Sequence, residues 1–214
     1  VKIQIKEIKN MGLFSKKKKQ VNQTTNLICN SKDVGSYKCI FLTSYRDLPI
    51  EVSWEESSVA DDKMSESLHM TGLNRFPCVE EGDFTVCGTK AAMTYLNIKG
   101  TTPTIHPRKA RVLAAQNYWI QVLTEKLEPL LSDAPNNSEQ ISNVLEVLNK
   151  ELEGKSYIVG EFSLADIHWS AVLKILEGRD QSSIFCGFDN INTWLTKMKS
   201  EIPAYNTKAE KIAA

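Results

Sequence analysis

The chain has 214 residues, 42% of them apolar, and it balances 26 basic against 26 acidic side chains. That composition suits a globular protein with a sizeable core and excludes a disordered or collagen-like chain. No run of 18 apolar residues occurs, so no membrane-spanning helix is expected. No charged segment leads into an apolar one as in a secretory signal, so a cytoplasmic protein is expected.

The zero net charge hides an asymmetry. Residues 1–20 hold seven lysines and one glutamate, and "SKKKK" (Ser15 to Lys19) is the densest part. The rest of the chain is therefore mildly acidic. The five cysteines, Cys29, Cys39, Cys78, Cys87 and Cys186, are odd in number and lack metal-ligand spacing, so no metal site is expected. Reduced thiols are the favoured reading, and only Cys78 and Cys87, on two arms of one hairpin, are placed to face each other.

In chain order, residues 1–24 lack a sustained apolar period and read as a mobile basic leader. "NLICN" (26–30) is a short buried strand, and "GSYKCIFLTSYRDLP" is a helix ended by Pro49. "IEVSWEE" alternates, with Ile50, Val52 and Trp54 on one face, and reads as a strand. "DKMSESLHMTG" (62–72) is a shorter helix. "FPCVEE" and "FTVC" flank the turn Glu81-Gly82-Asp83 and make a hairpin. "TKAAMTYLNIKG" is a helix with Gly100 near its C-cap. After the linker 101–107 the strands vanish. Leu113, Ile120, Leu123, Leu127 and Leu131 recur at helical spacing, as do Ile141, Val144, Leu145, Leu148 and Leu152. "SLADIHWSAVLKILEG" is apolar on most sides and should lie at the centre, and "INTWLTKMKSEIP" carries one apolar stripe. An α/β domain over 25–100 and an all-helical domain over 108–214 follow.

Three stretches resemble the cytosolic glutathione S-transferase superfamily: "RFPCVEEGDFTV" followed by "TKAAMTYL", "GKSYIVGEFSLADI", and "FDNINTWLTKMKSEIPAY". The resemblance implies a thioredoxin-like N-terminal domain, a helical C-terminal domain, and a cis proline at Pro77. It also implies a glutathione site in which the backbone of Phe76, beside Pro77, meets an extended peptide as a sheet edge does. Ser163 and Asp166 fit a capping box at the start of the central helix, with Asp in place of the usual Glu or Gln.

The pattern departs from that family at two places. Glutathione-binding members present Glu/Gln-Ser at the helix start after the hairpin, and this chain has Gly88-Thr89. Thr89 keeps a hydroxyl at an end where unpaired N–H groups favour an anion. The loop that should supply a thiol-activating hydroxyl reads "NSKDVGSYKC". Ser36 and Ser31 are the candidates, with Tyr37 beside them, while Asp33 would repel a thiolate. Cys39 and His168 read as core residues.

Two functions remain open at this point. One is a non-catalytic module that binds proteins, resembling the gamma subunit of elongation factor 1B or the cofactors of aminoacyl-tRNA synthetase complexes, with no cofactor. The other is a transferase that adds glutathione, as co-substrate, to electrophiles. Protein partners or a homodimer through the helical domain, near residues 105–131, are expected. Lys16, Lys17, Lys18 and Lys19 offer weak contact to RNA or to an anionic membrane, and "MGLFSKKKK" is a near match to an N-myristoylation signal if Met11 initiates.

Overall fold

The computed structural model describes residues 24–55, 76–100, 104–178 and 182–206. The basic leader with its Met11-Gly12 motif and the helix expected over 62–72 lie outside these residues.

β1 (Thr25–Cys29) is followed by α1 (Val34–Tyr45) and β2 (Ile50–Trp54). α1 begins where it does because Asp33 caps it, accepting the Ser36 N–H at 2.7 Å. It stops at Tyr45, and Asp47 then takes a left-handed conformation (φ 49°) that swings the chain into Pro49 and β2. β3 (Cys78–Glu81) and β4 (Phe84–Cys87) form the expected hairpin, and α2 (Thr89–Ile98) follows. The sheet order is β2-β1-β3-β4, with β1 and β2 parallel and the other pairs antiparallel. This is the thioredoxin-like arrangement. Alternation along the strands sends Leu27, Cys29 and Val79 into the main core with α1 and α2, and Ile28 and Cys78 to the opposite face.

The second half is helical: α3 (Ala110–Val122), α4 (Ser138–Glu151), α5 (Leu164–Gly178) and α6 (Asp189–Glu201). The helix expected to run unbroken from 110 to 131 does not. Past Val122 it widens into a π turn over Leu123–Leu127 and then tightens into a 3-10 turn over Glu128–Asp133. Pro129 supplies the reason, because it has no N–H to give the carbonyl four residues back and its ring crowds that carbonyl. Leu123, Leu127 and Leu131 remain buried through the change.

α5 is the central helix. Ala165, Ile167, Trp169, Ala171, Val172, Leu173 and Leu176 are all fully buried, and α1 packs along it. The core therefore runs without a break from the sheet into the bundle. Its start carries the capping box: Ser163 Oγ accepts the Ala165 N–H at 3.2 Å, and Asp166 Oδ2 accepts the Ser163 N–H at 3.0 Å. Asp166 Oδ1 also accepts the Ile158 N–H at 3.0 Å and the Trp194 indole N–H at 2.9 Å. Burial pushes this carboxyl up to about 6 against the pull of those hydrogen bonds. A second tie is the partly buried ion pair Lys38–Glu128 at 2.5 Å, which joins α1 to the 3-10 turn. A last turn, Pro203–Asn206, folds back on α1, where the Ala204 N–H donates to Ser44 Oγ at 2.8 Å.

Asp166→Ala strands the Trp194 indole and the Ile158 amide in the core, and each buried unsatisfied donor costs about 1–3 kcal/mol. Adding the lost cap, urea unfolding of this variant should show stability lowered by about 3 kcal/mol or more. A loss under about 1 kcal/mol, typical of a surface change, would mean that the network contributes little.

Candidate functional site

Three chain starts converge at one point: the N-terminus of α1, the start of β3, and the N-terminus of α2. Gly35 is the residue between them. A Cβ there would lie 2.0 Å from Thr89 Oγ1, 2.9 Å from Pro77 Cδ and 3.1 Å from Asp33 Oδ2. No side chain fits, so glycine is what allows the approach. The single glycine of "DVGSYK" is all that the sequence shows of this, and it is a weak signal.

The Phe76–Pro77 bond is cis. The Phe76 ring is buried with Ile28 and Cys78 on the outer face of the sheet. Pro77 O accepts the Gly88 N–H at 2.8 Å, so the cis proline and the start of α2 are hydrogen-bonded to each other. Gly88 holds φ +92°, a conformation that L side chains rarely adopt, and this explains why the helix start carries no acidic or amide side chain. Thr89 is half-buried with its hydroxyl against Gly35.

Ser36 and Ser31 occupy different surroundings. Ser36 is completely buried: its hydroxyl donates to Asp33 Oδ2 at 2.8 Å and accepts the Asn30 N–H at 3.0 Å. Ser31 is exposed in the turn between β1 and α1. Tyr37 is half-buried with its ring 5.9 Å from Trp54. Beside Gly35 lies the Asp33 carboxylate, its Oδ2 3.1 Å from where a Cβ would stand, which the sequence presents only as a disturbance. Burial raises its pKa, while the Ser36 hydroxyl and amide pull it down. An Asn30 side chain fixes the turn below, donating to Glu55 O at 2.8 Å and accepting the Lys32 N–H at 2.9 Å.

Cysteine chemistry divides by place. Burial pushes the Cys29 thiol up to about 12 and the Cys39 thiol well above its usual value, so neither is a ready nucleophile. The expectation of reduced thiols throughout needs a correction, because Cys78 and Cys87 form a disulfide, with Cα atoms 4.0 Å apart. They are directly opposed in the β3–β4 register, which is the physical reason they meet. His168 is buried in α5, and burial holds its pKa well below the usual imidazole range, so it is neutral. Among the described residues no cluster of potential metal ligands occurs, and no helix is long and apolar enough to cross a membrane.

Comparison with known proteins adds the following. Residues 101–201 match the family model "Glutathione S-transferase, C-terminal domain". A glutathione S-transferase of Hyoscyamus muticus is 23% identical over 190 residues, covering 77% of this chain and 88% of that protein. Glutathione S-transferase theta-1 of Gallus gallus is 30% identical over 122 residues, covering 44% of this chain and 45% of that protein. The solved structure of a glutathione S-transferase-I bound with lactoylglutathione superposes with a TM-score of 0.70 at 20% identity, over 89% of this chain and 98% of that one. None of these relatives is an elongation-factor subunit or a synthetase cofactor. Residues 101–201 thus match the glutathione S-transferase C-terminal domain model, and the described residues share the glutathione S-transferase fold.

Proposed function

We propose that the protein binds glutathione, or a peptide like it, between Phe76–Pro77 and Thr89 without activating its thiol, and that it acts through association rather than conjugation. One observation carries this reading. The hydroxyl best placed in sequence to activate a thiol, that of Ser36, is buried, gives its one proton to Asp33 and accepts from Asn30. The ionisable group nearest that corner is a carboxylate, Asp33 Oδ2 lying 3.1 Å from where a Gly35 Cβ would stand. A hydroxyl donating to a thiolate lowers the thiol pKa, whereas a nearby carboxylate raises it. Binding itself rests on the start of α2, where unpaired N–H groups favour a peptide carboxylate, and on Thr89 as the side-chain donor at that end. The structure of a relative holding lactoylglutathione supports a ligand of this class.

An exposed apolar patch supports the association half. Phe84 and Ile98 are 43% and 67% exposed and share a shallow groove with Val86, Ala91 and Tyr95, rimmed by Lys90 and Lys99. Tyr118 on α3, 60% exposed, gives the helical domain an aromatic contact of its own. A second copy of the chain is the partner we assign to these surfaces, with other proteins as the alternative.

S-methylglutathione, which keeps the peptide but has no thiol, should at one hundred times its Kd stabilise the protein by about 2.7 kcal/mol, visible as a rise in Tm. No rise at saturating S-methylglutathione would end the binding half of the reading. In the same preparation the conjugation of 1-chloro-2,4-dinitrobenzene should not exceed the uncatalysed rate.

Asp33→Ser keeps an N-capping side chain and replaces the carboxylate by a hydroxyl. Conjugation should then rise about tenfold, equivalent to a thiol pKa lowered by about one unit. Unchanged turnover in a variant that still binds glutathione would remove Asp33 from the site.

Thr89→Val should weaken glutathione binding about tenfold, or about 1.4 kcal/mol, with Tm of the free protein nearly unchanged. Ile98→Glu should lower the mass measured by light scattering from dimer to monomer. A wild-type chain that is monomeric at high concentration would count against the second copy.

A further inference from the structure

We propose that Cys78 and Cys87 are a reversible thiol–disulfide pair that exchanges with glutathione and sets the width of the neighbouring site. The clause about the site rests on the reading above; the redox exchange does not. The pair lies with the buried Ile28 and Phe76 on the sheet face opposite the one packed by α1 and α2. Its neighbours in the chain are Pro77 and Gly88, whose carbonyl and amide are hydrogen-bonded at 2.8 Å. One residue further out are Phe76 and Thr89. The disulfide therefore closes the open end of the hairpin where the peptide-contacting segments diverge.

Access gives the exchange a direction. Cys78 is 4% exposed and Cys87 is half-buried, so an incoming thiolate reaches Cys87 Sγ. Its attack forms a Cys87–glutathione mixed disulfide and expels Cys78 as a thiolate, which takes a proton from water. A second glutathione thiolate attacks the glutathione sulfur of that mixed disulfide. It leaves as glutathione disulfide, and Cys87 is expelled and protonated. Two glutathione thiols are oxidised, and the pair gains two electrons and two protons. The reverse reaction closes the bond when glutathione disulfide predominates.

The Cα atoms of the joined pair stand 4.0 Å apart, whereas a non-hydrogen-bonded opposed pair, as the flanking Gly88–Pro77 bond makes this one, usually stands about 4.5 Å apart. Once the bond is open, the strands relax towards the usual spacing and carry Pro77 away from Gly88. The backbone of the site loosens with them. The oxidised protein is the tight-binding form.

The test uses the full chain equilibrated over a range of glutathione to glutathione disulfide ratios, quenched in acid, unfolded and alkylated for intact-mass analysis. Labels at Cys78 and Cys87 should appear together as the ratio becomes reducing and disappear when it is reversed. A pair that stays closed at every ratio, or open at every ratio, overturns the exchange. Amide hydrogen exchange at Gly88 should be faster in the reduced protein and in Cys87→Ser, whose Tm checks that it is folded. Equal Gly88 exchange in oxidised and reduced protein overturns the coupling to the site. S-methylglutathione, which has no thiol to reduce the pair, should bind the oxidised protein about fivefold or more tightly than the reduced one. Equal affinity for both forms also overturns the coupling. Binding to neither form overturns the glutathione-site reading, while alkylation and Gly88 exchange still decide the pair.

Discussion

The Asp166 carboxylate is the point on which the rest of the molecule depends. It gathers the Ile158 and Ser163 amides, the Ser163 hydroxyl and the Trp194 indole, which belong to the loop before α5, the capping residue of α5, and α6. Those bonds fix where α5 begins. Because α5 is buried on nearly every side, its start determines its register against α1. α1 in turn presents Asp33 and Gly35 to Pro77 and Thr89. A buried carboxylate is costly unless its lone pairs are satisfied, so all these donors must arrive together. The position of the site follows from a network at the start of the central helix.

Convergence at Gly35 explains why the site is small and specified by backbone more than by side chains. A cis proline, a glycine at positive φ and a glycine with no room for a Cβ account for three of its corners. Only Asp33 and Thr89 bring functional groups to it. Ser36 serves the site indirectly: it caps nothing itself, but with Asn30 it holds the Asp33 carboxylate in one orientation. A hydroxyl of the expected type is thus present three residues from the cap and faces inward.

Much of the fold was legible in the sequence because its signals are local. Ile191, Trp194, Leu195 and Met198 form one stripe by spacing alone, and all four are buried. The capping box could be read from Ser163 and Asp166, although the third and fourth donors to Asp166 come from residues that spacing cannot bring together. The break of the long helix past Val122 was missed, although Pro129 announced it, because the apolar spacing continues through the π turn. At the site, sequence gave the list of residues but not the direction in which each hydroxyl points. That direction depends on Asn30 and Asp33, whose polar contacts leave no periodic trace. Cys78 and Cys87 were recognised as opposed, yet their bond depends on register, which one residue of slip would have destroyed.

The placement of the aromatic core has a consequence for how unfolding is observed. Of the four tryptophans, Trp119, Trp169 and Trp194 are buried in the helical half, and the Trp169 and Trp194 indoles are hydrogen-bonded there. Only Trp54, half-buried at the end of β2, belongs to the sheet. Intrinsic fluorescence is therefore weighted heavily towards the bundle. A local loosening of the sheet would change the emission of one indole in four and leave the spectrum nearly native, while far-ultraviolet dichroism and amide exchange would already have responded. Non-coincident optical transitions in this protein would report where its chromophores sit before they report an intermediate.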